Sequence, residues 1–329
     1  MLEFIGATWS AVLSAILLLY ALFWYIVHGS RRYVRSSLSL KGKTVVITGA
    51  SNGIGKETAI DLAHRGALVI LACRDLHKGE QVARGIRHDS GNHDVLCRHL
   101  DLSNLESVRE FVRKFDDEKD RLDILINNAG IAVASHDGET TKEGFDIVFG
   151  VNHFGHFLLT NLLVNKLKEC APSRVITVSS REERRANSMN FTSTECEGMK
   201  YPGLKSYNLS KAANIMFARE LSRRLEGTGV TSYSVEPGLA YTNIFASNIF
   251  GPIVEFLLRP LLWLVTTTAK TGAQTTIFCA VDESITSKSG RLFGNCQAVD
   301  IWSPLASSDK LDSKLWEVSC QAVGIDDTL

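Results

Sequence analysis

Thr44-Val45-Val46-Ile47-Thr48-Gly49-Ala50-Ser51-Asn52-Gly53-Ile54-Gly55 is the most informative stretch of the chain. A β-branched apolar run ends in a glycine-rich turn, and Lys56-Glu57-Thr58-Ala59-Ile60-Asp61-Leu62-Ala63 continues with a helical pattern. Strand, glycine turn and helix together bring free N–H groups and the positive end of a helix dipole to a pyrophosphate. Gly49 lets the strand turn tightly. Gly53 removes a side chain where backbone approaches the phosphates, and Gly55 lets the helix pack on the sheet. The spacing is G-x-x-x-G-x-G rather than the commoner G-x-G-x-x-G. The competing reading is a glycine turn with no ligand, and the flanking strand and helix weigh against it.

Outward from this turn, the second strand reads Leu68-Val69-Ile70-Leu71-Ala72-Cys73-Arg74-Asp75. An acidic residue at this strand end would hold a ribose 2′-OH, whereas an arginine accommodates a 2′-phosphate. Arg74 therefore favours NADP(H), with Asp75 beside it as the opposing signal and a solvated loop charge as the bland alternative. Leu100-Asp101-Leu102 and Leu122-Asp123-Ile124-Leu125-Ile126-Asn127-Asn128-Ala129-Gly130 end further strands, at the carboxyl edge where ligands of such sheets bind. Strands and helices alternate from Thr44 to Val235, which predicts a doubly wound parallel sheet of the Rossmann type in a single α/β domain.

Ser179-Ser180 closes an apolar strand, and Tyr207-Asn208-Leu209-Ser210-Lys211 opens a helix. Four residues are one helical turn, so the Tyr207 phenol and the Lys211 ammonium share a face. A nearby cation favours the phenolate, which brings a phenol of ordinary pKa about 10 closer to acid/base work near neutrality. A Tyr-x-x-x-Lys pair alone is weak evidence; its setting among the other motifs gives it weight.

Taken together, the sequence resembles the short-chain dehydrogenase/reductase superfamily. The matching stretches are Thr48–Gly55, Asn127-Asn128-Ala129-Gly130, Asn152, Ser180, Tyr207-x-x-x-Lys211 and Pro237-Gly238. Ala72–Asp75, Val151–Thr160 and Leu315–Cys320 look like the membrane-bound retinol dehydrogenase group and its X-chromosomal dehydrogenase/reductase relative, a member associated with polyprenol-type alcohols. The resemblance implies roles. Tyr207 would be the acid/base. Lys211 would lower its pKa and bind the nicotinamide ribose. Ser180 would hold the substrate oxygen, with Ser179 the lesser choice. Asn152 would hold a water that extends the proton path through Lys211. Asp101 would meet the adenine, Asn128 would line the crevice, and Pro237-Gly238 would flank the nicotinamide. Ser51, Asn52, Ile54, Leu102, Ala129, Gly130 and Thr242 complete the implied cofactor contacts. Arg181-Glu182-Glu183-Arg184-Arg185 after Ser180 and Glu236 before Pro237 depart from the usual pattern.

The charge balances at 36 basic and 36 acidic residues in 329, so the chain has no electrostatic footprint for nucleic acid. The seven cysteines form no C-x-x-C pair, which argues against a zinc site or a disulfide scaffold, and no metal is expected. Phe4–Val27 carries no charge and is long enough for a membrane-spanning helix of about 20 residues. Arg31, Arg32 and Arg35 follow it, and the positive-inside bias places the rest of the chain in the cytosol. The competing reading is a core helix of the catalytic domain. Sequons occur at Asn190 and Asn208; a glycan on Asn208 would obstruct the catalytic helix. The expected organisation is an anchor and basic flank over 1–35 and a catalytic domain over 36–329. Within it, an apolar, proline-broken stretch at about 239–268 would form a lid over a greasy substrate tunnel. The sequence thus predicts a single-pass membrane oxidoreductase, in the endoplasmic reticulum, that interconverts a hydrophobic alcohol and its carbonyl with NADP(H). A retinoid or other isoprenoid leads as substrate. A steroid dehydrogenase/reductase and a silent NADP-binding scaffold are the alternatives, and a homo-oligomer stays open.

Overall fold

The computed structural model describes residues 14–15, 17–22, 24–25, 29, 31–132, 138–189, 204–238, 267–301 and 303–329. Thr242, the sequon at Asn190 and nearly all of the expected lid lie outside these residues.

The apolar run Thr44–Thr48 forms strand β1, buried along its whole length. There follow α1 (Gly53–His64), β2 (Leu68–Cys73), α2 (Leu76–Ser90), β3 (Val95–His99), α3 (Leu105–Glu118) and β4 (Ile124–Asn127). The chain continues through α4 (Ile147–Glu169), β5 (Ser173–Val178), α5 (Leu204–Arg224) and β6 (Val230–Glu236). It ends with α6 (Ala269–Val281), β7 (Leu292–Gly294), β8 (Gln297–Val299) and α7 (Asp309–Val323). The strands form one sheet in the order β3-β2-β1-β4-β5-β6-β7-β8. Strands β1 to β7 pair in parallel, as expected for a doubly wound sheet. Strand β8 is antiparallel to β7. Only Asn295 and Cys296 separate the two, both at positive φ (50° and 55°), and so short a link can make a hairpin but not a crossover.

Alternate strand residues feed two cores. Val46 and Ile70 face a layer built from Phe111 of α3, Phe157 of α4, Phe217 of α5 and Trp316 of α7. Val45, Ile47, Val69 and Leu71 face α1, α2 and α6 through Leu62, Ile86 and Ile277. Strand order reverses at β1 and β4, so their carboxyl ends open the crevice of the fold. Among the described residues, the one helix long and apolar enough to cross a membrane is α4, and 83% of its apolar window is buried. It is therefore a core helix. All six described cysteines are free and buried.

Residues 31–40 run along the body of the fold without regular structure. Arg32 N donates to Asn295 Oδ1 (2.9 Å), Val34 N to Gln274 Oε1 (3.0 Å) and Leu40 N to Arg65 O (2.8 Å). Arg65 Nη1 donates to Ser36 O at 2.8 Å. Farther upstream, residues 17–22 are helical, and Leu17, Leu18, Leu19 and Leu22 are exposed.

Candidate active site

The glycine turn sits between β1 and α1 with Gly49 at φ +65° and Gly53 at φ +55°, backbone that L side chains rarely adopt. A Cβ on Gly49 would lie 2.8 Å from Ala129 Cα, so the turn lies directly against the exit of β4. A Cβ on Gly55 would lie 2.4 Å from Asn128 Nδ2 and 2.9 Å from Gly49 O. Gly55 therefore makes room for the loop after β4, where the sequence suggested packing on the sheet. Ser51 and Ile54 are half-buried in the turn, and Asn52 is exposed and caps α1 through Oδ1, which accepts from Gly53 N at 2.8 Å. The first turn of α1 carries no acidic side chain. Free N–H groups, a positive dipole end and a cradle without side chains fit a dinucleotide pyrophosphate.

One threonine holds this turn to β4. Thr48 Oγ1 accepts from Asn128 N and Ala129 N, each at 2.9 Å, while Asn128 Nδ2 donates to Thr48 O at 2.8 Å. Thr48 Oγ1 also lies 2.8 Å from His156 Nε2, and His156 Nδ1 lies 3.0 Å from the Asn152 carbonyl. A carbonyl only accepts, so Nδ1 carries the imidazole proton, Nε2 accepts, and the Thr48 hydroxyl donates. Burial draws the His156 pKa down to about 4, which keeps this neutral form. Neither Thr48 nor His156 had a role in the sequence reading. The signal for His156 was its position one turn after Asn152.

At the end of β2, Arg74 is exposed. Asp75 caps α2, its Oδ1 accepting from Lys78 N at 3.0 Å. Past β3, Asp101 is half-buried; its Oδ1 accepts from Ser103 N (2.9 Å) and Ser103 Oγ (2.6 Å). Leu102 is buried against α4, where a Cβ on Gly155 would lie 2.6 Å from Leu102 O.

The catalytic candidates gather at the carboxyl ends of β4 and β5. Tyr207, Lys211 and Asn214 lie on one face of α5. Lys211 Nζ and Asn214 Nδ2 each donate to Val178 O at 3.1 Å, and Ser179 Oγ donates to Lys211 O at 2.7 Å. Ser179 thus serves to dock the helix. Ser180 lies near enough to the Tyr207 phenol to work against the rise of its pKa, and its Oγ accepts from Glu182 N at 3.3 Å. Gly130 backs the pair: a Cβ there would lie 3.2 Å from Asn152 Oδ1 and 3.4 Å from Lys211 Nζ. Helix α4 makes a π turn over Gly150–Phe154 that contains Asn152. Asn152 Oδ1 accepts from Ile131 N, and its Nδ2 donates to Ile131 O and Ser210 Oγ, all at 2.9 Å. Both protons of the amide nitrogen are thus committed, to the β4 loop and to α5.

The electrostatics differ from expectation. Burial raises the Tyr207 pKa above the ordinary phenol value, partly offset by the Ser180 hydroxyl, and the Glu182 charge raises it further. Burial lowers Lys211 to about 8. Burial outweighs the depression of the phenol expected from Lys211. The ammonium lies 5.5 Å from the ring centroid and donates to Val178 O.

The short chain dehydrogenase family description matches residues 43–249. The chain belongs to this family. It is 45% identical over 292 residues to dehydrogenase/reductase SDR family member 13 of Bos taurus, covering 88% of this chain and 76% of that one. It is 43% identical over 293 residues to retinol dehydrogenase 13 of Homo sapiens, covering 88% and 87%. A crystal structure of an uncharacterized protein from Mycobacterium paratuberculosis superposes with a TM-score of 0.69 at 33% identity, over 89% of this chain and 97% of that one. Short-chain dehydrogenases bind NAD(P), and this chain is an oxidoreductase acting on CH–OH groups.

Proposed function

We propose that this short-chain dehydrogenase uses NADP(H) to interconvert a hydrophobic alcohol of the retinoid or isoprenoid class and its carbonyl, at the surface of the membrane that anchors it. The observation that carries the reading is the buried Tyr207 phenol beside Ser180, with Lys211 Nζ 5.5 Å from its ring centroid, at the sheet edge that also holds the glycine turn. The Ser180 hydroxyl orients the substrate oxygen, and Tyr207 delivers its proton there. When bound, the nicotinamide supplies or accepts the hydride. Burial keeps the proton on the phenol, the donor form that carbonyl reduction needs. Oxidation needs the phenolate, the form that burial disfavours.

Arg74 supports NADP(H). Asp75 spends its carboxylate on the α2 cap, which leaves the exposed guanidinium as the charge that meets a 2′-phosphate. The substrate class rests on relatives whose names specify retinol. The anchor rests on Phe4–Val27, on the exposed leucines within it and on the arginines that follow, which orient the catalytic domain to the cytosol, with the endoplasmic reticulum as the expected membrane.

Steady-state kinetics on all-trans-retinal test this reading, with NADPH and NADH compared in wild type and Tyr207→Phe. NADPH should be preferred at least tenfold. The phenylalanine variant should lose turnover by about a thousandfold while cofactor affinity is retained. Equal use of both cofactors rejects the NADP(H) assignment, and near-wild-type turnover in the variant rejects the acid/base assignment.

A further inference from the structure

The chain upstream of β1 meets the edge of the active site. Gly238 follows Pro237 at the end of β6, with φ +77°. A Cβ there would lie 2.9 Å from Nη1 of Arg31. Immediately before this turn, the buried Glu236 carboxylate accepts from Arg181 Nε at 3.2 Å, and Arg181 directly follows Ser180. Gly294 of β7 makes room for that carboxylate, since a Cβ there would lie 2.7 Å from Glu236 Oε1. Arg31, Gly238, Glu236, Arg181 and Ser180 form a line from the start of the strap to the serine beside the Tyr207 phenol. The two features of the sequence that depart from the family pattern, Arg181 and Glu236, are its middle links.

The strap has little slack. Downstream of Arg31 it is fixed to Asn295, Gln274 and Arg65 by the hydrogen bonds of Arg32, Val34 and Ser36. Upstream, the helical Tyr25 is six residues away, which reach at most about 20 Å when fully extended. Arg32, Tyr33 and Arg35 are exposed along the strap. Cations and a tyrosine are the side chains suited to a headgroup layer.

We propose that the strap over residues 31–36 ends a tether that holds the mouth of the active site against a phospholipid surface, so that a lipid-dissolved substrate passes from bilayer to site without crossing bulk water. This rests on the anchor reading given above. The partner is the bilayer itself, and the tether sets the distance and the facing side. Arg31 and the Arg181–Glu236 pair are positioning residues in this scheme: they fix where the strap departs relative to Ser180.

The test is a tether of altered length. A twenty-residue Gly/Ser insert between Ser30 and Arg31 adds a root-mean-square reach of roughly 25 Å while leaving every strap contact in place. Full-length wild type and the insertion variant are reconstituted in phosphatidylcholine/phosphatidylserine vesicles. Each is assayed with a long isoprenoid aldehyde dissolved in the bilayer and with a short water-soluble aldehyde. The insertion should raise the KM for the bilayer substrate about fivefold or more, leave kcat unchanged and leave the soluble aldehyde unaffected. The difference should vanish when the vesicles are dissolved in detergent. Equal KM for the bilayer substrate in both chains would overturn the tether, as would a parallel loss on both substrates. Flotation of the vesicles separates the premises: wild type that fails to float overturns the anchor and the tether with it. Wild type that floats but turns over neither aldehyde overturns the oxidoreductase reading.

Discussion

Thr48 is the point at which the two halves of the site meet. Its hydroxyl accepts from the β4 loop and donates to His156, whose other nitrogen reaches the carbonyl of Asn152. The arrangement requires a neutral imidazole. Burial lowers His156 to about 4 and His153, one turn of packing away, to about 3, against 6.5 in the unfolded chain. Between these values the unfolded chain takes up protons that the folded chain refuses. The stabilisation is therefore complete above about pH 6.5 and is lost as pH falls toward the folded pKa values; His156 alone accounts for about 2 kcal/mol by pH 5. Urea midpoints at pH 7 and pH 5 should differ in wild type, and the difference should shrink in His156→Gln. An unchanged difference would remove His156 as its source. Ser180, Tyr207 and Lys211 were legible in the sequence because strand end and helical turn fix their relation locally. The Thr48–His156 bond was not, because it joins residues 108 apart that only the tertiary fold brings together.

At the scale of elements, α7 braces the catalytic helix from behind. Trp316 stacks on Phe217 of α5 with centroids 5.8 Å apart and meets Phe157 of α4 edge-on at 4.9 Å. Arg224 lies over its ring at 4.4 Å, and its indole N–H donates to Asp327 at 3.0 Å. Arg223 of α5 pairs with the buried Asp312 of α7 at 2.8 Å. Trp316→Ala should therefore cost about 3–5 kcal/mol of stability. The loss should appear as a lower thermal midpoint, with reduced order in α5 and hence a lower kcat in the protein that remains folded. A midpoint within a degree of wild type would show that α7 is not a brace. The sequence marked Leu315–Cys320 only through resemblance. Its structural reason, an aromatic stack shared with α4 and α5, has no local signature. Strand β8 escaped for a related reason: a three-residue strand after an Asn-Cys turn carries too little periodicity to reveal its direction.

For the whole molecule, the burial of the six described cysteines has a kinetic consequence. A thiol largely screened from solvent reacts mainly when its surroundings open, so each reports on the fluctuations of its own region. Cys73 lies under the glycine turn, its sulfur in contact with Ser51 and Cys97, whereas Cys320 lies in α7 and Cys279 in α6. Burial raises Cys320 to about 11, so little reactive thiolate forms until its region opens. In a Cys196→Ser background, mass-resolved alkylation under native conditions should count these openings separately. Saturating NADPH should slow labelling of Cys73 and Cys97 several-fold and leave Cys320, which belongs to the other core, untouched, because the nucleotide stitches down one side of the sheet only. Uniform slowing at all sites would mean that the molecule opens as a single unit. The chain would then lack the regional independence that its two separate cores imply, and occupancy of the crevice would be sensed as far away as the C-terminal helix.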